Sequence, residues 1–256
     1  MIPLSDSIPS RTTPWVNYTI IGICSLAFLV QLASGGGEHR IVEKFGLIPI
    51  RLTDPQAKPL IQERVLIRTR RGMEQGIIQR ELAPAVIPPW MTMVTCMFLH
   101  GGWMHFLGNM WFLYVFGDNV EDRLGHVGYS LMYLGTGVAA GVAHYATDNT
   151  SVIPTIGASG AIAGVMGAYA WLYPHARVKA VLPLFIIIQV FIVPAPVFLG
   201  IWFAIQTYSG LAAAASGQAG GVAWWAHIGG FAAGAIVALI VGRAHLGHEA
   251  VEERRF

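Results

Sequence analysis

Four side chains in this sequence place polar chemistry in apolar surroundings: His105, Asn109, Ser159 and His227. A serine hydroxyl becomes a useful nucleophile when a neutral imidazole takes its proton, so Ser159 and His227 supply a nucleophile and a general base. The Asn109 amide and the backbone N–H groups at a helix start supply donors for a developing oxyanion. Together these groups suit acyl transfer. Ser159 lies in Gly157-Ala158-Ser159-Gly160, which departs from the nucleophile elbow G-x-S-x-G because the second glycine comes one residue early. None of the Asp or Glu residues falls in the apolar runs that hold Ser159 and His227, so the expectation is a Ser/His dyad. His100 and His105 are five apart, which is not the i, i+4 spacing of two metal ligands on one helix face, and no H-E-x-x-H occurs; no metal site is expected. The bland alternative for Ser159 is a small packing residue. Gly160 with Gly164, and Gly230 with Gly234, likewise form small-xxx-small pairs suited to close helix packing. The two readings are compatible, since close packing is what would bring Ser159 to His227. His144 has no evident partner and reads as structural.

The elements that must position these groups are apolar helices. The chain is 54% hydrophobic and 12% charged, against about 25% charged in a soluble domain. A transmembrane helix needs about 20 mostly apolar residues, and the runs 16–33, 103–116, 127–146, 159–173, 196–211 and 222–241 are read as six spans. This predicts an all-α membrane protein with a short N-terminal tail (1–15), a membrane domain (16–242) and a C-terminal tail (243–256). Arg11 precedes the first run and no small-residue cleavage site follows it, which suggests a retained signal anchor. Cys24 and Cys96 both lie in apolar context and do not resemble a disulfide framework.

The first loop, 34–89, opens on the breaker Ser34-Gly35-Gly36-Gly37 and holds nine of the sixteen Lys and Arg residues. Its stretch 60–82 mixes Ile and Val with Arg68, Arg70, Arg71 and Arg80, which suits either a helix lying on a membrane surface or a solvated loop. Pro183, Pro194 and Pro196 interrupt 181–211, so an apolar, re-entrant loop is expected before the fifth span. Spans two, four and six enter from one face of the membrane. Their polar residues lie near their starts and therefore at similar shallow depth, at 1.5 Å per residue. Loops 147–157 and 212–221 carry no Lys or Arg, favouring an inside N-terminus, although the basic first loop votes the other way. The net charge of +2 is too small and dispersed to suggest a nucleic-acid partner.

Three motifs resemble those of the rhomboid intramembrane proteases: His100-Gly-Gly-Trp-Met-His105-Phe-Leu-Gly-Asn109, Gly157-Ala-Ser159-Gly160 and Ala226-His227-Ile-Gly-Gly230, in that family's order. The resemblance covers roughly 90–241. It implies a six-transmembrane-helix rhomboid-like bundle, Ser159 as nucleophile and His227 as its base. It also implies an oxyanion hole lined by His100, Asn109 and the Ser159 N–H, with His105 supporting that pocket. The implied substrates are single-span membrane proteins in the lipid bilayer, cut in or near the transmembrane segment, and no cofactor is needed. Position 163 is Ala where some members carry an aromatic residue against the histidine, so Tyr169 or Trp225 is expected to hold His227 instead. A catalytically inactive relative that binds membrane-protein clients is the competing reading; such relatives lose Ser or His, and this chain keeps both. A small transporter is a third, but no internal repeat or buried charge pair supports it. Hydrolysis requires a polar cavity open to the outer face, and the uncharged, glycine-rich 216–221 points to movement of the fifth span and its following loop on substrate entry. A bacterial plasma membrane is the expected home.

Overall fold

The computed structural model describes residues 1–34, 38–69, 72–184, 187–216 and 222–252. The expected breaker at 35–37, most of the glycine-rich 216–221 and the last four residues of the C-terminal tail lie outside the described residues. The chain runs β1 (Ile2–Asp6), α1 (Trp15–Ala33), α2 (Glu38–Phe45), α3 (Pro49–Thr53), β2 (Leu60–Thr69), β3 (Gly72–Glu81), α4 (Thr92–Thr95), α5 (Trp103–Thr147), α6 (Ser159–Leu172), β4 (Arg177–Leu184), β5 (Ile187–Pro194), α7 (Ala195–Ser216) and α8 (Trp224–Glu252). Among the described residues three helices are long and apolar enough to cross a membrane, at Trp15–Ala33, Ala195–Ala215 and Trp224–Gly242; Ser159–Leu172 is apolar but shorter.

At the centre is α6, whose residues from Gly160 to Tyr169 are all buried. It lies against α5 and, most intimately, α8. The contact is backbone on backbone. A Cβ added at Gly230 would lie 2.0 Å from the Gly160 carbonyl oxygen, and one at Gly234 would lie 1.8 Å from that of Gly164. On the α5 side, a Cβ at Gly164 would lie 2.3 Å from Thr136 Oγ1. Lipid tails are as apolar as Leu, so close van der Waals approach of this kind is what draws such helices together.

The helix α5 does not stop at the acidic cluster near Asp118, as the sequence suggested. It continues to Gly125, where φ of +69° breaks the helical path, and then resumes. The acids do not end the helix because the N-terminal segment satisfies them. Glu121, 1% exposed, accepts from the Val16 and Asn17 N–H groups at 2.9 and 2.7 Å, capping donors that the start of α1 leaves unpaired. Asp122 accepts from Thr12 N and Arg11 Nε at 3.0 and 3.1 Å. Inside, Asn17 donates from Nδ2 to Leu113 O and accepts from the Tyr129 hydroxyl.

Two expectations are overturned by strands. Within segment 60–82, of which Arg70 and Arg71 lie outside the described residues, β2 and β3 pair antiparallel rather than forming a surface helix or an irregular loop, with Leu60 opposite Glu81 and Thr69 opposite Gly72. Its β-branched Ile and Val residues favour a pleated strand over a helix. The root is clamped by Arg80, which ion-pairs with Glu43 at 2.6 Å and with Glu63; these two carboxylates hold the Arg80 guanidinium above its usual pKa. The described residues of 181–194 form strands where an apolar loop was expected. β4 pairs with β5, and β1 joins β4 on its other side, giving the order β1-β4-β5 with Asp6 opposite Val178 and Val178 opposite Val193. Within the N-terminal tail, Ile2–Asp6 is thus a sheet strand. Its pairing puts the start of the chain and the α6–α7 connection at one end of the helices. The Leu47–Thr155 bridge puts the first loop and the α5–α6 connection at the other.

Replacing Gly234 by Ala should force α6 and α8 apart, at a cost of about 1–3 kcal/mol as for other overpacked sites. Thermal unfolding in detergent should show a lowered midpoint; an unchanged midpoint would mean that the two backbones do not meet there.

Candidate active site

Ser159 is the first residue of α6, and His227 lies in the first turn of α8. Because α6 and α8 touch through glycine, the two side chains meet: Ser159 Oγ is 2.7 Å from His227 Nε2. On the other side of the ring, His227 Nδ1 lies 2.6 Å from Gln206 Oε1 on α7. The Trp202 and Trp224 rings stand 5.8 and 6.3 Å from the imidazole. Tyr169 does not hold the histidine; its hydroxyl donates to Asp6 Oδ2 at 2.5 Å. Trp225 instead lines a neighbouring cavity.

The pair opens on a cavity of about 590 Å³, lined among others by His105, Asn109, Gly157, Trp202 and Gln206. A second cavity of about 580 Å³ shares His105, Thr155, Ile156 and Trp224 as walls and adds the polar side chains of His144, Asp148 and Ser151. His144 has a partner that the sequence did not reveal: its Nε2 is 2.8 Å from Thr155 Oγ1.

Donors gather on the Asn109 side. Asn109 is buried and its Nδ2 has no hydrogen-bond partner among the described residues. His105 Nδ1 accepts from Gly101 N at 3.3 Å, which leaves the proton of the neutral ring on Nε2. That nitrogen faces Gly157, where an added Cβ would lie 2.6 Å from it. Gly157 also has φ of +121°, which a side chain would strain, and its N–H donates to Cys96 O at 2.9 Å, fixing the approach to Ser159. Gly160 packs on α5, with its ideal Cβ 2.6 Å from that of Ala140.

Of the two histidines expected near the oxyanion hole, His105 lines the cavity and His100 lies behind it. His100 has no exposed surface and does not line the cavity; its ring packs 5.3 Å from His105 and 6.4 Å from Phe28. The reason lies in α1: Gln31 donates to His100 O and accepts from His100 N, both at 3.0 Å, and pulls that backbone inward. Sequence reading missed Gln31, Gln206 and Trp202. The two glutamines carried a usable signal, since an amide in an apolar span needs a partner. Cys24 and Cys96 are both buried and free. Among the described residues no group of three His, Cys, Asp or Glu could hold a metal ion.

A bundle of apolar helices, three of them long and apolar enough to cross a membrane, encloses the serine–histidine pair and defines a helical membrane protein. The chain matches the Rhomboid domain over residues 88–244 and belongs to the rhomboid family. It is 40% identical over 78 residues to Rhomboid-like protein 11, chloroplastic, of Arabidopsis thaliana, covering 30% of this chain and 28% of that one. It is 32% identical over 83 residues to a rhomboid-named Bacillus subtilis protein (32% and 41% covered). Against Rhomboid protein 1, mitochondrial, of Saccharomyces cerevisiae it is 29% identical over 157 residues (57% and 40% covered). The chain thus spans less than half the length of these curated relatives. Two of their names carry chloroplast and mitochondrion, so the expected bacterial plasma membrane is not supported by these likenesses.

Replacing Asn109 by Ala removes a buried donor that has no partner among the described residues. Phosphonylation of Ser159 by a fluorophosphonate should slow about 10²–10³-fold, as when one oxyanion donor is lost, with the melting temperature unchanged or raised. Undiminished labelling would show that the amide does not face the reacting centre.

Proposed function

We propose that this chain is an intramembrane serine endopeptidase that cuts single-span membrane proteins in or near their transmembrane segment. The observation that carries this reading is the 2.7 Å contact of Ser159 Oγ with His227 Nε2 beside Asn109 Nδ2, which has no partner among the described residues. As Oγ attacks the scissile carbonyl carbon, its proton passes to Nε2 and the carbonyl electrons move onto oxygen. Asn109 Nδ2, the His105 Nε2–H and the Ser159 N–H receive that oxyanion. Collapse breaks the C–N bond and the proton leaves His227 with the amine. Water, activated by the same nitrogen, then hydrolyses the acyl-enzyme.

We place six crossings in the membrane: α1, the two halves of α5, α6, α7 and α8. The sheet that joins the chain start to the α6–α7 connection, and the bridge between Leu47 and Thr155 at the other end, support this count. The 14 residues of α6 make a helix of about 21 Å, shorter than the ~30 Å hydrocarbon layer. With its far end at one boundary, Ser159 sits well below the other. A substrate helix must unwind to present an extended peptide bond there.

Purified protein labelled with a fluorophosphonate, beside Ser159→Ala and His227→Ala, tests the reading without a known substrate. Wild-type labelling that disappears in both variants is the expected result. A folded wild type that stays unlabelled in detergent and in lipid would favour the inactive, client-binding relative. Substrate entry is proposed to need movement of α7, whose outer face is exposed at Ile201, Ile205 and Tyr208. Cross-linking α7 to the first half of α5 should therefore block cleavage of protein substrates; retained cleavage would sink that route.

A further inference from the structure

The geometry points to Gln206 as a positioning residue for His227, a role that rests on the protease reading. With no carboxylate at the site, something else must choose between the two neutral tautomers of the base. Gln206 Oε1, 2.6 Å from Nδ1, can only accept there, so the ring proton is held on Nδ1 and the Nε2 lone pair faces the Ser159 hydroxyl at 2.7 Å. In a serine triad a carboxylate does this and also favours the imidazolium. Gln206 supplies orientation and tautomer without placing a formal charge among apolar helices, and it neither gains nor loses a proton during the reaction.

Its place in the fold adds a consequence. Ser159 and His227 sit on α6 and α8, which meet backbone to backbone, whereas α7 touches α6 and α8 far less than they touch each other. The serine and its base are therefore held together by the most extensive helix contact among the described residues, and the group that orients the base by a more loosely packed helix. Seating α7 against α8 sets His227 in its working tautomer; withdrawing α7 frees the ring to rotate or to exchange tautomers.

Gln206→Met keeps the length and removes the acceptor, and Gln206→Glu keeps the acceptor and adds charge. Gln206→Met is expected to lower kcat and the fluorophosphonate labelling rate about 10²–10⁴-fold, the range seen when a triad histidine loses its orienting partner, with KM little changed. Gln206→Glu should label within about tenfold of wild type. A packing role predicts the reverse order, since a buried carboxylate disturbs apolar packing more than methionine does. ¹⁵N-histidine NMR gives an independent readout: the His227 proton should reside on Nδ1 in wild type and redistribute in Gln206→Met. Should that variant fail to fold, Gln206→Leu replaces it. Wild-type labelling by Gln206→Met, or unchanged tautomers in it, overturns the proposal. An unlabelled wild type overturns the protease reading instead, and the NMR comparison still decides the role of Gln206.

Discussion

The approach of α6 to α8 without intervening side chains is the constraint on which the rest of the structure depends. Two carbonyls of α6, at Gly160 and Gly164, lie where Cβ atoms of Gly230 and Gly234 would otherwise be. Hydrophobic burial does not drive helices together in lipid as it does in water, and shape fit at this distance takes its place. One result is chemical: a serine and a histidine 68 residues apart in sequence come within hydrogen-bond distance. A single pair of faces therefore determines both cohesion of the bundle and the meeting of Ser159 with His227.

Around that axis, buried amides and carboxylates act as fasteners. Glu121 closes the start of α1, Asn17 ties α1 to α5, and Gln31 sets the path of the His100 backbone. Each joins α1 or its flank to the segment carrying the HGG motif and Asn109. In a medium without water such groups must be satisfied internally, and their satisfaction here fixes the donor side of the site relative to α6.

Much of this was legible in the sequence, and the failures have physical causes. Ser159, His227 and Asn109 stood out because polar groups are costly in apolar runs, and the glycine spacing foretold close packing. The same cost rule would have exposed Gln206 and Gln31, had neutral amides been weighed like histidines. That His100 lies behind the cavity and His105 lines it was not legible, because the motif does not show which ring a distant glutamine draws inward. The β4–β5 hairpin was hidden because a short apolar run of β-branched residues has the same composition as a membrane loop. Its partner β1 lies some 170 residues earlier in the chain, as the hydrogen bond from Arg177 N to Ser7 Oγ illustrates. The acidic cluster looked like a helix end because its partners, Thr12 and the first turn of α1, lie more than a hundred residues away.

The attachment of α7 is uneven along its length. At its start, Ala195 N is hydrogen-bonded to Ala176 O at 2.8 Å, and Phe198 and Leu199 are buried, Phe198 against Phe116. Towards the other end Tyr208 and Leu211 face outward. A rod held more firmly at one end than at the other behaves as a lever: a small angular change at the firmer end becomes a larger displacement further along. Gln206 lies about 16 Å from Ala195, at 1.5 Å per residue. A tilt of about 10° at the sheet would shift it by nearly 3 Å, a hydrogen bond's length, so events at the β1-β4-β5 sheet have a mechanical path to the far side of the molecule.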